Sequence, residues 1–140
     1  MTSDGLTRRN ALTGAATLGV AVPLLAACGG DDGGTAINPT PKADPGTKLG
    51  QASDIPVGGG KIFGDESVVV TQPTEGDFKC FSAICTHQGC LVSRVQEGTI
   101  DCTCHASRFS IEDGSVQSGP APSALPEVPI SVDGGSIVLE

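Results

Sequence analysis

An all-β fold, an antiparallel sandwich or barrel, is expected for residues 49–140. Three observations lead there. Short apolar-alternating runs sit between turn signals. Glycine (20) and proline (10) are plentiful, as short strands joined by turns require. Beyond residue 27, no stretch of ten or more residues repeats its apolar positions at a helical period. A chain of 140 residues allows one small domain. Such a domain buries a limited core and usually needs a staple, whether a disulfide, a metal or a partner. Aromatic side chains add little here: there are four Phe, no Tyr and no Trp.

Residues 1–27 read as a targeting segment. A polar start ends in Thr7-Arg8-Arg9-Asn10-Ala11-Leu12, and an apolar stretch from Ala11 to Ala27 follows, broken by Pro23 and too short for a comfortable membrane span. The pair Arg8-Arg9 resembles the twin-arginine export signal, whose cargo is typically folded and loaded with its cofactor before transport. That pattern usually has a bulky apolar residue two places after the pair, and here the place holds Ala11. Leu25-Ala26-Ala27-Cys28 resembles the lipobox of bacterial lipoproteins, in which the cysteine is acylated and becomes the first residue after cleavage. An ordinary signal peptide with a chance cysteine is the plainer alternative. The small residues before Cys28 and the Gly29-Gly30-Asp31-Asp32 after it favour the lipobox. The resemblance implies an exported protein anchored to the outer face of the bacterial cytoplasmic membrane by lipidated Cys28. Residues 28–48 then form the anchor site and a flexible tether of Gly, Asp, Thr, Pro and Lys, with a root-mean-square reach of about 25 Å.

The strands are expected at 48–53, 60–63, 67–72, 78–84, 91–96, 98–101, 128–132 and 136–139. Ser67-Val68-Val69-Val70-Thr71 is rich in β-branched residues. Val128 to Leu139, interrupted by Asp133-Gly134-Gly135, reads as a hairpin.

Formal net charge is −8. Without Asp4, Arg8 and Arg9 the mature chain keeps six basic and fifteen acidic residues. No basic patch survives, so nucleic acid is not a partner. The acidic excess serves solubility, or offers a docking surface to a basic redox partner.

Two stretches carry chemistry: Cys85-Thr86-His87-Gln88-Gly89-Cys90 and Cys102-Thr103-Cys104-His105-Ala106-Ser107-Arg108-Phe109. Both histidines of the chain lie in them, with four of the five cysteines that follow Cys28. A Cys-x-His and a Cys-x-x-His on two loops supply two thiolates and two imidazoles. Zinc takes Cys₂His₂ as a tetrahedron. A [2Fe–2S] cluster with Cys₂ on one iron and His₂ on the other takes the same set. Cys90 and Cys104 are left over, one in each stretch, as a disulfide between loops would need. An exported chain keeps such a bond, and a zinc finger has no use for the extra pair.

C-T-H-x-G-C followed by C-x-C-H-x-S-x-F resembles the signature of the Rieske [2Fe–2S] family, in the disulfide-containing branch found in cytochrome bc complexes and related bacterial proteins. The resemblance covers roughly Leu49 to Glu140. It implies a Rieske-type antiparallel sandwich or barrel, with two loops forming a cluster-binding subdomain that holds one [2Fe–2S] cluster per chain. Cys85 and Cys102 would bind the buried iron, His87 and His105 the outer iron, and Cys90 and Cys104 would form the loop disulfide. Ser107 matches the serine whose hydroxyl donates to a bridging sulfide, which raises the potential. High-potential members have a tyrosine where this chain has Phe109, so a potential below the full quinol-oxidising type is expected, in the middle to upper part of about −150 to +300 mV. Gly119-Pro120-Ala121-Pro122 resembles the proline loop that covers the cluster; a rigid surface turn is the alternative.

The function implied is one-electron transfer by an exported, membrane-tethered oxidoreductase component with no catalytic site of its own. Its partner would be a cytochrome, an oxidoreductase subunit or quinol. The alternatives are the Rieske subunit of a cytochrome bc1-type quinol–cytochrome c oxidoreductase, the small subunit of an arsenite-oxidase-like molybdenum enzyme, and a non-redox zinc or disulfide binding module. An oxygenase would need a separate mononuclear iron site, and no further histidine exists to build one. Cys80 reads as a small buried hydrophobe, Arg94 and Arg108 as solvated charges with docking second, and Asp101 as turn chemistry.

Overall fold

The computed structural model describes residues 39–140. The export signal expected at 1–27, Cys28 and most of the tether lie outside the described residues. Ten strands follow in order: β1 Lys48–Gln51, β2 Gly59–Phe63, β3 Val68–Gln72, β4 Lys79–Ser82, β5 Arg94–Gln96, β6 Thr99–Cys102, β7 Ser107–Ser110, β8 Val116–Ser118, β9 Ile130–Asp133 and β10 Ser136–Leu139. They form three antiparallel sheets, ordered β1-β10-β9, β2-β3-β4 and β5-β6-β7-β8. The only helical element among the described residues is a 3₁₀ turn, Ala52–Asp54, and none is long and apolar enough to cross a membrane. The all-β expectation is borne out.

The middle sheet shows how period-two side-chain direction builds two cores at once. All five residues of β3 are buried. Val69 points with Phe81 into one core, beside Cys85, Val92, Ile100, Cys102 and Phe109. Val68 and Val70 point the other way, with Cys80, Ile55, Ile137 and Leu139. Register agrees, since Val69 lies opposite Phe81 and Val70 opposite Cys80. Burying Phe81 and Phe109 fully contributes about 1.5–3 kcal/mol each.

The hairpin expected near the C-terminus is β9–β10, turning at Gly134-Gly135. Both glycines have positive φ, +53° and +81°, as a two-residue turn between right-twisted strands demands. Several expected strands shorten. The run 48–53 stops at Gln51 and passes into the 3₁₀ turn, and 91–96 begins only at Arg94, with Leu91 making an isolated bridge to Ile84. Two strands, β7 and β8, were not expected. Ser107–Ser110 does alternate buried and exposed, but four residues inside a ligand motif make a weak period. Described residues ahead of Leu49 also pack on the domain. The Lys42 N–H donates to Glu66 O at 3.1 Å, the Gly46 N–H to Leu139 O at 2.7 Å, and Ala43 packs on the second core.

Candidate metal centre

The two motif stretches sit where strands end. Cys85-Thr86-His87-Gln88-Gly89-Cys90 follows β4 and closes on itself: the Cys85 N–H donates to Cys90 O at 2.7 Å and the Gly89 N–H to Cys85 O at 2.9 Å. Gly89 has φ +75°, the left-handed turn that glycine allows without strain. The second stretch starts at the end of β6 and returns as β7, with Cys102 opposite Ser107 in register. Ala106 turns this loop at φ +63°. The hairpin β5–β6 therefore joins the two loops.

Cys85 and Cys102 are buried and free, each 1 % exposed. Burial pushes the Cys102 thiol up, the Cys85 thiol beside it adds to the rise, and the backbone N–H groups of Cys104 and His105, aimed at its sulfur, pull it down. His87 and His105 stand edge to face, ring centroids 4.6 Å apart. The Nδ1 atom of His87 is buried with no hydrogen-bond partner. A buried ring nitrogen without a partner is costly unless something outside the protein satisfies it. Two thiols and two imidazoles, with one imidazole nitrogen orphaned, fit the mixed Cys₂His₂ donor set of a Rieske [2Fe–2S] group. Zinc would accept the same atoms.

Cys90 and Cys104 form a disulfide, with Cα atoms 6.6 Å apart. Their sulfurs lie within 4.8 Å of Cys102 Sγ. That trio is not a metal site, because two of its sulfurs are consumed by the bond. It shows instead that the loops are locked together against the Cys102 side chain.

A third segment covers the loops. Gly119 has φ +94°, and a Cβ there would stand 2.5 Å from Ser107 Cα and 2.6 Å from Ala106 O, so only glycine permits the approach. The Ala121 N–H donates to Ser107 Oγ at 3.2 Å. From the other loop, Thr86 Oγ1 donates to Ser123 O at 2.7 Å. The segment 119–123 is thus tied to both loops and is more than a surface turn. Ser107 is fully buried, and accepting from Ala121 leaves its own O–H hydrogen to donate. Phe109 lies in the same core as Cys85 and Cys102 and brings no polar atom to it. Sequence reasoning missed Thr86 and Ser123, because a backbone acceptor is not encoded by residue type.

Cys80 is the small buried hydrophobe its sequence context suggested: it is free, lies in the second core apart from Cys85 and Cys102, and burial pushes its thiol up to about 12. Three other residues sit differently from expectation. Asp101 is not turn chemistry. It is buried in β6, 3 % exposed, and holds Arg94 Nε at 3.1 Å and Arg108 Nε at 3.8 Å. The two arginines are half-exposed and paired to it, not freely solvated.

Residues 47–129 match the family model of the Rieske [2Fe–2S] domain. The chain is 40% identical over 94 residues to the cytochrome b6-f complex iron-sulfur subunit of Chlorobaculum tepidum, covering 65% of this chain and 51% of that one. It is 46% identical over 61 residues to the cytochrome bc1 complex Rieske iron-sulfur subunit of Corynebacterium diphtheriae, covering 41% and 15%. The chain thus spans about half or less of the length of these curated relatives. Among solved structures it resembles the cyanobacterial plasma membrane Rieske protein of Synechocystis, with a TM-score of 0.56, 27% identity, and 67% and 98% of the two chains covered. The loops, their disulfide and the family match converge: this chain belongs to the Rieske [2Fe–2S] family.

Proposed function

We propose that the chain is a one-electron carrier in which Cys85 and Cys102 hold the inner iron and His87 and His105 the outer one. The observation that carries this is a pair of adjoining buried thiols and a pair of adjoining imidazoles on the same two disulfide-tied loops, one imidazole leaving its Nδ1 buried and unpartnered. When bound, a Rieske cluster supplies a single site that takes up and returns one electron.

The protein's own groups set the terms. His87 would hold the group through Nδ1, the ring nitrogen that the fold leaves buried and unpartnered. The backbone N–H groups of Cys104 and His105 favour a charged Cys102 sulfur. Ser107 Oγ accepts from the Ala121 N–H and keeps its own hydrogen, which would stabilise added negative charge on a bound cluster. The disulfide and the 119–123 segment hold the loops closed and keep water from the buried thiols. His105 is exposed, so a partner can approach closely on its side.

Arg8-Arg9 and the lipobox at Cys28 support export and anchoring to the outer face of the cytoplasmic membrane. The partner is then a cytochrome or another oxidoreductase subunit near that surface. The relatives' names favour one specific version, the iron–sulfur subunit of a cytochrome b6-f or bc1-type complex that receives its electron from quinol. Phe109 argues for a lower potential than that role usually uses.

Low-temperature EPR of the anaerobically purified protein, before and after reduction, tests the proposal. A rhombic Rieske signal seen only on reduction, with two irons and no zinc per chain, is the expected result. An EPR-silent protein with stoichiometric zinc would sink the redox reading. For the anchor, Cys28→Ala should move the chain from the membrane fraction to the soluble one; unchanged membrane association would refute lipidation at Cys28.

A further inference from the structure

Arg94 and Arg108 are the only arginines among the described residues, and both stand on the same flank of the four-stranded sheet. Between them lies a cleft of about 230 Å³ lined by Arg94, Asp101, Cys102, Thr103, Ala106, Ser107 and Arg108. It opens directly beside the second ligand loop. In a chain of net charge −8, this lining carries two guanidiniums and one carboxylate.

A structural reading would have the arginines only neutralise buried Asp101. Donor arithmetic goes against that. Two guanidiniums offer roughly ten N–H donors, and one carboxylate has about four acceptor positions. One of those positions is already taken by the Thr99 hydroxyl, at 2.8 Å from Oδ1. Each arginine meets Asp101 through Nε, and each side chain stays about half exposed. Asp101 therefore acts as a fixed post that positions two planar forks while leaving donors unspent. Pre-positioned guanidiniums suit a carboxylate, which they can bind through paired hydrogen bonds.

We propose that the Arg94–Asp101–Arg108 cleft is a docking socket for a carboxylate side chain on an acidic segment of a partner protein. The acidic excess elsewhere repels such a segment, so the socket fixes where on this chain it can land. That location is beside the Cys102 loop, so a partner bound there is oriented for exchange with the redox centre. This last step rests on the electron-transfer reading; the socket's affinity for carboxylate does not.

The test is the binding of a labelled poly-glutamate peptide to the holoprotein at low ionic strength, with poly-glutamine as control. Saturable binding of poly-glutamate alone is expected. It should weaken about tenfold or more in Arg94→Gln and in Arg108→Gln, the scale of one charge-assisted hydrogen bond. In the unmodified protein, the peptide should also shield both arginines from phenylglyoxal, a readout that requires no variant to fold. No binding at low salt, or equal binding by both variants with no shielding, would overturn the proposal. Malonate shielding both arginines where the peptide does not would also overturn it, leaving a small-anion pocket. A protein that lacks a Rieske EPR signal and still binds the peptide would refute the electron-transfer reading and uphold the socket.

Discussion

Phe109 shares its core with Cys85 and Cys102 as an apolar ring, so nothing at this position donates to a sulfur. Replacing it with Tyr introduces a hydroxyl. If that hydroxyl donates to a ligand sulfur, it stabilises the reduced state by about 1 kcal/mol, which for one electron is about 40 mV upward. A redox titration followed by EPR reads the change. An unchanged potential with a lowered melting temperature would show a buried hydroxyl that found no partner. Ser107→Ala works in the opposite sense. It removes a donor from the site and the acceptor for the Ala121 N–H, so both potential and stability should fall. A potential equal to the parent's would remove Ser107 from the site. Cys80 has a different signature. Burial pushes its thiol up to about 12 in the folded protein, against an ordinary value of 9.0. The folded state thus holds this proton more tightly than the unfolded state. Its contribution is intact below about pH 9 and should be lost at about 1.4 kcal/mol per pH unit between about 9 and 12. Urea unfolding at stepped pH should show that slope, and Cys80→Ala should lack it. At this scale the sequence was most informative, because histidine and cysteine are rare and their spacing is chemical. It misled at Asp101, whose burial depends on two arginines seven residues away on either side.

The loops and the segment over them act as one clamp. The disulfide spans a sequence separation of 14, so Cys90→Ser should cost about 3 kcal/mol through the freed unfolded chain, with cluster retention falling alongside it. Iron content after mild heating is the measurement; full retention would show that the ties at Thr86 and Ser107 suffice. Gly119→Ala puts a methyl into the backbone of Ala106 and Ser107 at a positive φ. The covering segment must then lift, and the expected outcome is a shortened cluster half-life with little change in the sheets by circular dichroism. The sheets were legible where β-branched residues ran on unbroken, as in β3, and where Gly134-Gly135 marked the turn. They were illegible at β7 and β8, where three or four residues pair because neighbours present an edge. The cover's place came from resemblance to a family; its two hydrogen bonds to the loops use a backbone N–H and a carbonyl, which no side-chain pattern announces.

Over the whole molecule, charge and connectivity matter most. Acidic residues dominate the chain, yet both arginines of the described domain flank the loop from Cys102 to Ser107. An encounter with a partner that combines basic and acidic groups should therefore be orientation-selective, and its rate should fall with salt as surface charges are screened. Connectivity adds a separate consequence. β1 pairs with β10, and Lys48 lies opposite Val138, so the domain's first and last strands run side by side at the usual spacing of about 5 Å. Both ends of the unit meet at one doorway. A host protein would have to part a surface loop by only one strand's width to accept the whole unit as a guest, which makes this domain a plug-in redox cassette for protein engineering.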